Sequence, residues 1–113
     1  MEKVVVYEKS TCTTCKNLFT VLTEHGIDFE KVEYLINPIS REKLADLAKK
    51  TGSVKGLVRN KEPEYEALGV AQMSDDQILD VLAAHPKLVQ RPIVEIGERA
   101  IVARPAEKVL EIL

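Results

Sequence analysis

The chain has 113 residues, 45% hydrophobic and 30% charged, with a net charge of −2. That composition suits a single compact domain with one modest core, expected to act as a monomer. The near-neutral balance gives no signal for direct binding to nucleic acid or to an anionic membrane, and no apolar run approaches the ~20 residues of a membrane span.

Val4-Val5-Val6-Tyr7 reads as a short strand, and its unbroken apolar run predicts burial on both faces. No long apolar leader precedes it, so the expected compartment is the cytoplasm, where thiols stay reduced. Ser10-Thr11-Cys12-Thr13-Thr14-Cys15-Lys16 follows. An amphipathic helix is predicted from about Thr13 to His25, with Leu18, Phe19 and Leu22 on one side and Gly26 ending it. Cys12 therefore falls at a helix N-terminus, with Cys15 one turn on, facing the same way. Unpaired backbone N–H groups and the helix dipole both stabilise a thiolate there.

Ile27 to Leu35 reads as a second strand, parallel to the first through a right-handed crossover. Asn37-Pro38 breaks it. Ser40 caps a helix bearing Leu44, Leu47 and Ala48, which Gly52 ends. Val54 to Val58 is a short apolar piece leading to Arg59. Pro63 opens a short helix that stops before Gly69. Ser74-Asp75-Asp76-Gln77 forms a capping box for a helix bearing Ile78, Leu79 and Leu82, closed by His85-Pro86. Pro92 starts a third strand, Ile93 to Ile96, and Gly97-Glu98 fits a two-residue hairpin turn into a fourth, Ala100 to Ala103. Pro105 opens a closing helix with Val109, Leu110 and Leu113 inward. The pattern is βαβ, a helical insert at about residues 38–89, then ββα, all in one domain spanning 1–113.

Three readings of the C-x-x-C spacing stand at this point. In a reduced compartment beside a βαβ unit it reads as a redox dithiol, one thiolate attacking and the other resolving the adduct as a disulfide. A zinc site needs three or four ligands, and His25 and His85 stand alone at element ends, so no metal is expected. The third reading is two ordinary partly buried cysteines. Arg59, Arg91 and Arg104 each lie at an element boundary, the latter two on extended backbone before Pro92 and Pro105. If the third strand pairs beside the first, Arg91-Pro92 comes close to Cys12. Guanidiniums there would lower a thiol pKa and bind an oxyanion bidentately, whereas surface salt bridges are the plainer assignment. Arg41 and Arg99 read as solvent-facing. A cis bond at Pro92 would bring the chain close beside the cysteine turn. A C-x5-R phosphate loop would need arginine where Leu18 stands, which excludes that phosphatase type, and no Gly-rich nucleotide loop is present.

Glu8-Lys9-Ser10-Thr11-Cys12, Leu35-Ile36-Asn37-Pro38, Leu57-Val58-Arg59-Asn60, Tyr65-Glu66-Ala67-Leu68-Gly69, His85-Pro86, Arg91-Pro92-Ile93-Val94 and Ala103-Arg104-Pro105 occur in that order. Together they resemble the glutaredoxin-linked arsenate reductase (ArsC) family along essentially the whole chain. The resemblance implies a thioredoxin-like α/β fold with a four-stranded mixed sheet. It implies Cys12 attacking arsenate to give a thio-arsenate adduct, with Arg59, Arg91 and Arg104 around the oxyanion and Pro92 as a cis-proline. No bound cofactor is implied; the reductant is external, either glutathione with glutaredoxin or thioredoxin. Two positions depart from the pattern. Glu8 stands where well-known members carry a histidine that helps lower the cysteine pKa, and a close, ionised carboxylate would raise it. Cys15 stands where those members have serine, and an internal thiol could replace glutathione. C-x-x-C also matches the related Spx regulators, which bind RNA polymerase and sense thiol stress but generally lack an arginine at the position of Arg104. A general thiol–disulfide oxidoreductase is the third class.

Overall fold

The computed structural model describes residues 2–113. β1 (Val4–Glu8), β2 (Glu30–Glu33), β3 (Ile93–Ile96) and β4 (Arg99–Val102) form one sheet in the order β2-β1-β3-β4. β1 pairs parallel with β2 and antiparallel with β3, and β3 pairs antiparallel with β4. This is the mixed four-stranded sheet of a thioredoxin-like fold. The central pair carries the apolar runs: all four residues of β3 are buried, and in β1 only Val5 is half-exposed. That follows from placing a strand between two neighbours with helices on both faces.

α1 (Thr13–Glu24) packs Leu18 and Leu22 onto Val4, Val6, Val94 and Ile96 on one face of the sheet. Ala103, Ala106 and Val109 complete that layer. On the other face lie α2 (Arg41–Thr51), the short α3 (Pro63–Ala67) and α4 (Asp75–Ala84). Leu44, Leu47, Leu57, Ile78, Leu82 and Leu88 pack there against Tyr7, Tyr34 and Ile93. The local signals hold where one element carries the whole cause. Ser40 Oγ accepts from the Lys43 N–H, Gly52 ends α2 in the left-handed region, and Ser74 and Gln77 form a reciprocal capping box. Among the described residues no helix is long and apolar enough to cross a membrane.

Three expectations, on the second strand, the fourth strand and the closing helix, are corrected. β2 is confined to Glu30–Glu33, because as an edge strand it has ladder partners on one side only, and β1 supplies just those registers. β4 is Arg99–Val102, one residue earlier at both ends, with Arg99 pairing with Ile96 across the tight turn. The apolar stretch 54–58, to which the sequence assigned no element, includes a 3-10 turn, Lys55–Leu57. The closing helix is a 3-10 segment, Ala106–Glu111. With three residues per turn it presents one narrow stripe, so Ala106 and Val109 are buried while Leu110 and Leu113 are exposed. Both Arg91–Pro92 and Arg104–Pro105 peptide bonds are cis.

Candidate functional site

The site is built at the C-terminal ends of β1 and β2, where the chain leaves the sheet and turns back as α1. The Cys12 N–H donates to the Lys9 carbonyl at 3.0 Å, closing the turn. Cys12 is the N-cap of α1 on extended backbone, and its Sγ accepts from the Cys15 N–H at 3.3 Å. A serine or aspartate usually fills this capping role; here a sulfur does, and capping the helix favours the charged form of that sulfur. α1 carries no acidic residue in its first turn to oppose this. Cys12 is half-exposed and Cys15 is fully buried; both are free thiols.

The two thiols are driven apart electrostatically. Burial alone would raise Cys12, but hydrogen bonds from the Cys15 thiol and backbone, with the charges of Arg91 and Arg104, outweigh it and hold Cys12 below the ordinary thiol value. Burial, donation of its thiol hydrogen bond to Cys12 and the negative charge gathered nearby push Cys15 up to about 12. The surroundings thus favour the thiolate at Cys12 and the protonated thiol at Cys15.

The sheet register delivers the arginines. Tyr7 lies opposite Ile93, so the Arg91–Pro92 step passes alongside the end of β1. The Ala103 N–H donates to the Pro92 carbonyl at 2.9 Å, and Arg104 Nη1 donates to the Arg91 carbonyl at 2.9 Å. Arg91 is 8% exposed, and its Nε is buried with no hydrogen-bond partner among the described residues. A buried guanidinium N–H left unpaired is costly, and an anion in front of it would relieve that cost. Arg91 Nη1 donates to the Tyr34 hydroxyl at 3.4 Å, and that hydroxyl donates onward to the Val89 carbonyl at 2.7 Å.

Arg59 arrives from the helical insert. Val58 and Val89 form an isolated antiparallel bridge, with the Arg59 N–H donating to the Leu88 carbonyl at 2.8 Å. This brings Arg59 beside Gln90, whose Oε1 accepts from Arg59 Nη1 at 3.1 Å and from the Arg91 N–H at 3.2 Å. Arg59 also pairs with Glu62 at 3.2 Å. Arg59 and Arg104 line one cavity of about 140 Å³ with Asn60, Lys61 and Gln90. The structure therefore gathers all three arginines, but unequally. Arg91 and Arg104 act on Cys12, whereas Arg59 meets only Arg104 in the shared cavity and is already held by Glu62. Arg41 and Arg99 lie elsewhere, in ion pairs with Asp76 and Asp80 and with Glu2.

Sequence reasoning missed two supports, Tyr34 and Gln90. Tyr34 is fully buried just beyond β2, and Gln90 bridges two arginines. Gln90 carried a weak signal, standing directly before Arg91-Pro92 on extended backbone; Tyr34 carried none beyond its apolar ring. Glu8 is the other finding. It is 5% exposed, and burial followed by the Glu33 carboxylate raises its pKa, partly offset by Lys31. Its charge acts on Cys15. Among the described residues no three His, Cys, Asp or Glu side chains converge as a metal site.

Residues 7–112 match the model of the ArsC family. The chain is 36% identical over 116 aligned positions to an arsenate reductase of Escherichia coli, covering 100% of this chain and 82% of that one. It is 32% identical over 117 positions to an arsenate reductase of Neisseria meningitidis, covering both chains fully. The solved structure of an arsenate reductase from Vibrio cholerae superposes with a TM-score of 0.93 at 36% identity, over 99% of this chain and 98% of that one. By family match, identity along the whole length and shared fold, this chain belongs to the ArsC family.

Proposed function

We propose that the chain is an arsenate reductase in which Cys12 is the nucleophile. The observation that carries the reading is the capped, arginine-flanked Cys12 sulfur beside a buried guanidinium with an unpaired N–H. The relatives, named arsenate reductases, supply the substrate class. Arsenate is an anion at neutral pH, so thiolate attack brings like charges together. Arg91 and Arg104, with Arg59 across the cavity, offset that repulsion as a preorganised oxyanion site. The Cys12 sulfur bonds to arsenic and an arsenate oxygen leaves as water. The Cys15 sulfur then attacks the Cys12 sulfur. The S–S bond forms as the S–As bond breaks, its electron pair stays on arsenic, and arsenic falls from +5 to +3 as arsenite departs. An external thiol reductant, thioredoxin or glutathione with glutaredoxin, restores the two thiols.

The test is arsenate-dependent NADPH consumption with glutathione plus glutaredoxin in one reaction and thioredoxin alone in another. Turnover with thioredoxin alone assigns resolution to Cys15; turnover only with glutathione assigns it to the external thiol. Cys12→Ser abolishes both, and retained turnover in that variant overturns the assignment. Silence of the wild type in both reactions, with disulfide reduction retained, leaves a general thiol–disulfide exchange protein.

A further inference from the structure

Glu8 has no part in the chemistry above, yet the fold places it beneath the resolving thiol. The pleat of β1 puts Val4, Val6 and Glu8 on one face, and Val4 and Val6 pack there under Leu18 and Leu22 of α1. The tight turn from Lys9 to Cys12 sends α1 back across the sheet, so its buried row runs Cys15, Leu18, Leu22 from the end of β1 toward its start. Cys15 thus lies over Glu8 as Leu22 lies toward Val4. The Lys9 backbone, next to Glu8, and the Glu8 charge both act on the Cys15 thiol. The Glu8 Oε2 is buried and has no hydrogen-bond partner among the described residues. The groups facing Glu8 are Cys15 above it, Glu33 opposite it on β2, and Lys31 further along that strand, whose ammonium sits 4.5 Å over the Phe19 ring.

We propose that Glu8 is the proton acceptor for the Cys15 thiol in the resolving step, an inference that rests on Cys15 being the resolving thiol. The Cys15 proton passes through one water to Glu8 Oε2, which has no protein partner among the described residues, as the Cys15 sulfur attacks Cys12, so that a buried thiolate never stands free. When an external dithiol attacks Cys12 of the disulfide, Cys15 leaves as thiolate and Glu8 returns the proton. Burial keeps the Cys15 thiol high even after Cys12 is capped, so attack at neutral pH needs a local base. Glu8, itself raised by burial and by Glu33, is closer in basicity to a thiol than an ordinary carboxylate is.

The experiment follows the reaction of the reduced protein with 5,5′-dithiobis(2-nitrobenzoic acid), which needs no arsenate. Release of the first thionitrobenzoate reports Cys12 attack, and release of the second reports Cys15 closing the disulfide. In the wild type the second phase levels off with rising pH once Glu8 is ionised. In Glu8→Gln it slows by about 10²-fold at pH 7, the lower range for lost acid–base assistance. In that variant it also climbs about tenfold per pH unit, as for a thiol ionising unaided. A second phase in Glu8→Gln as fast as or faster than wild type overturns the proposal. So does a wild-type profile that itself climbs tenfold per unit, which decides the matter even if the variant fails to fold. A wild type that never releases the second equivalent refutes the Cys15 reading beneath it, a distinct result.

Discussion

In the proposed reaction Arg91 is the side chain on which anion binding most depends, and replacing it separates charge from geometry. Its guanidinium is almost wholly buried, bonds to one side chain through Nη1, and leaves Nε unpaired. Arg91→Met removes a preorganised charged donor, for which a loss of about 10²–10³ in kcat/KM, or ~3–4 kcal/mol, is the general expectation. Because Arg91 also holds Cys12 down, the thiolate fraction falls too, and the upper end of that range applies. Arg91→Lys keeps a positive charge but loses the planar fork, so it recovers part of the Cys12 acidity and little of the arsenate recognition. Stability should move the other way. A buried cation without a paired carboxylate costs desolvation, and methionine fills similar volume without it, so Arg91→Met should melt at or above the wild-type temperature. The assays are steady-state arsenate turnover, the pH dependence of iodoacetamide alkylation of Cys12, and thermal unfolding. Arg91→Met within about threefold of wild type in kcat/KM would place the anion elsewhere and refute the reasoning.

Three further outcomes are expected. Tyr34→Phe leaves the Val89 carbonyl and Arg91 Nη1 without their shared hydroxyl, and should cost ~1–2 kcal/mol in urea unfolding while raising KM for arsenate severalfold; an unchanged KM would mean Arg91 holds its place without Tyr34. Glu95 is buried and accepts from the Tyr7 hydroxyl at 2.9 Å, Lys43 Nζ at 2.6 Å and Lys50 Nζ at 2.7 Å. Burial opposes its charge, but Lys43, Lys50 and Tyr7 win and lower its folded-state pKa. Its contribution is therefore present above the unfolded value of ~4.3 and lost as pH falls through the lower folded one. The difference in urea midpoint between wild type and Glu95→Gln should shrink as pH drops from about 5 to 3, and a constant difference would refute the assignment. Ser74→Ala breaks the capping box of α4 and should cost ~1 kcal/mol, or about 4 °C in melting temperature; no change by calorimetry would mean the helix end is held by packing alone.

The helices with clear starts and stops were legible because each cause sits within a few residues. Ser40, Gly52 and Ser74 satisfy or release backbone groups of their own helix, and Leu44, Leu47, Ile78 and Leu82 recur at its period. The strand–cysteine–helix turn was legible for the same reason, and so was Cys12 as the cap of α1. The ordered motifs shared with the ArsC family carried the identity of the chain, which no local periodicity contains.

What the sequence alone determined was the order of elements and which residue types stand at their boundaries. Which boundaries meet was decided by the tertiary structure, because pairing across the sheet joins residues with no local relation. The β1–β3 register sets Arg91 beside Cys12, and the Val58–Val89 bridge brings Arg59 to Gln90. Burial was decided there too. Cys12 and Cys15 are one turn apart, yet the sheet covers only Cys15; Glu8 is a charged residue by type, yet α1 closes over it. Leu110 and Leu113 read as core and lie in water, since a 3-10 segment offers the sheet only one narrow stripe. Packing shifts the balance between charged and neutral forms at Cys12, Cys15 and Glu8 and sets which leucines are covered, and packing is the property that a linear pattern does not contain.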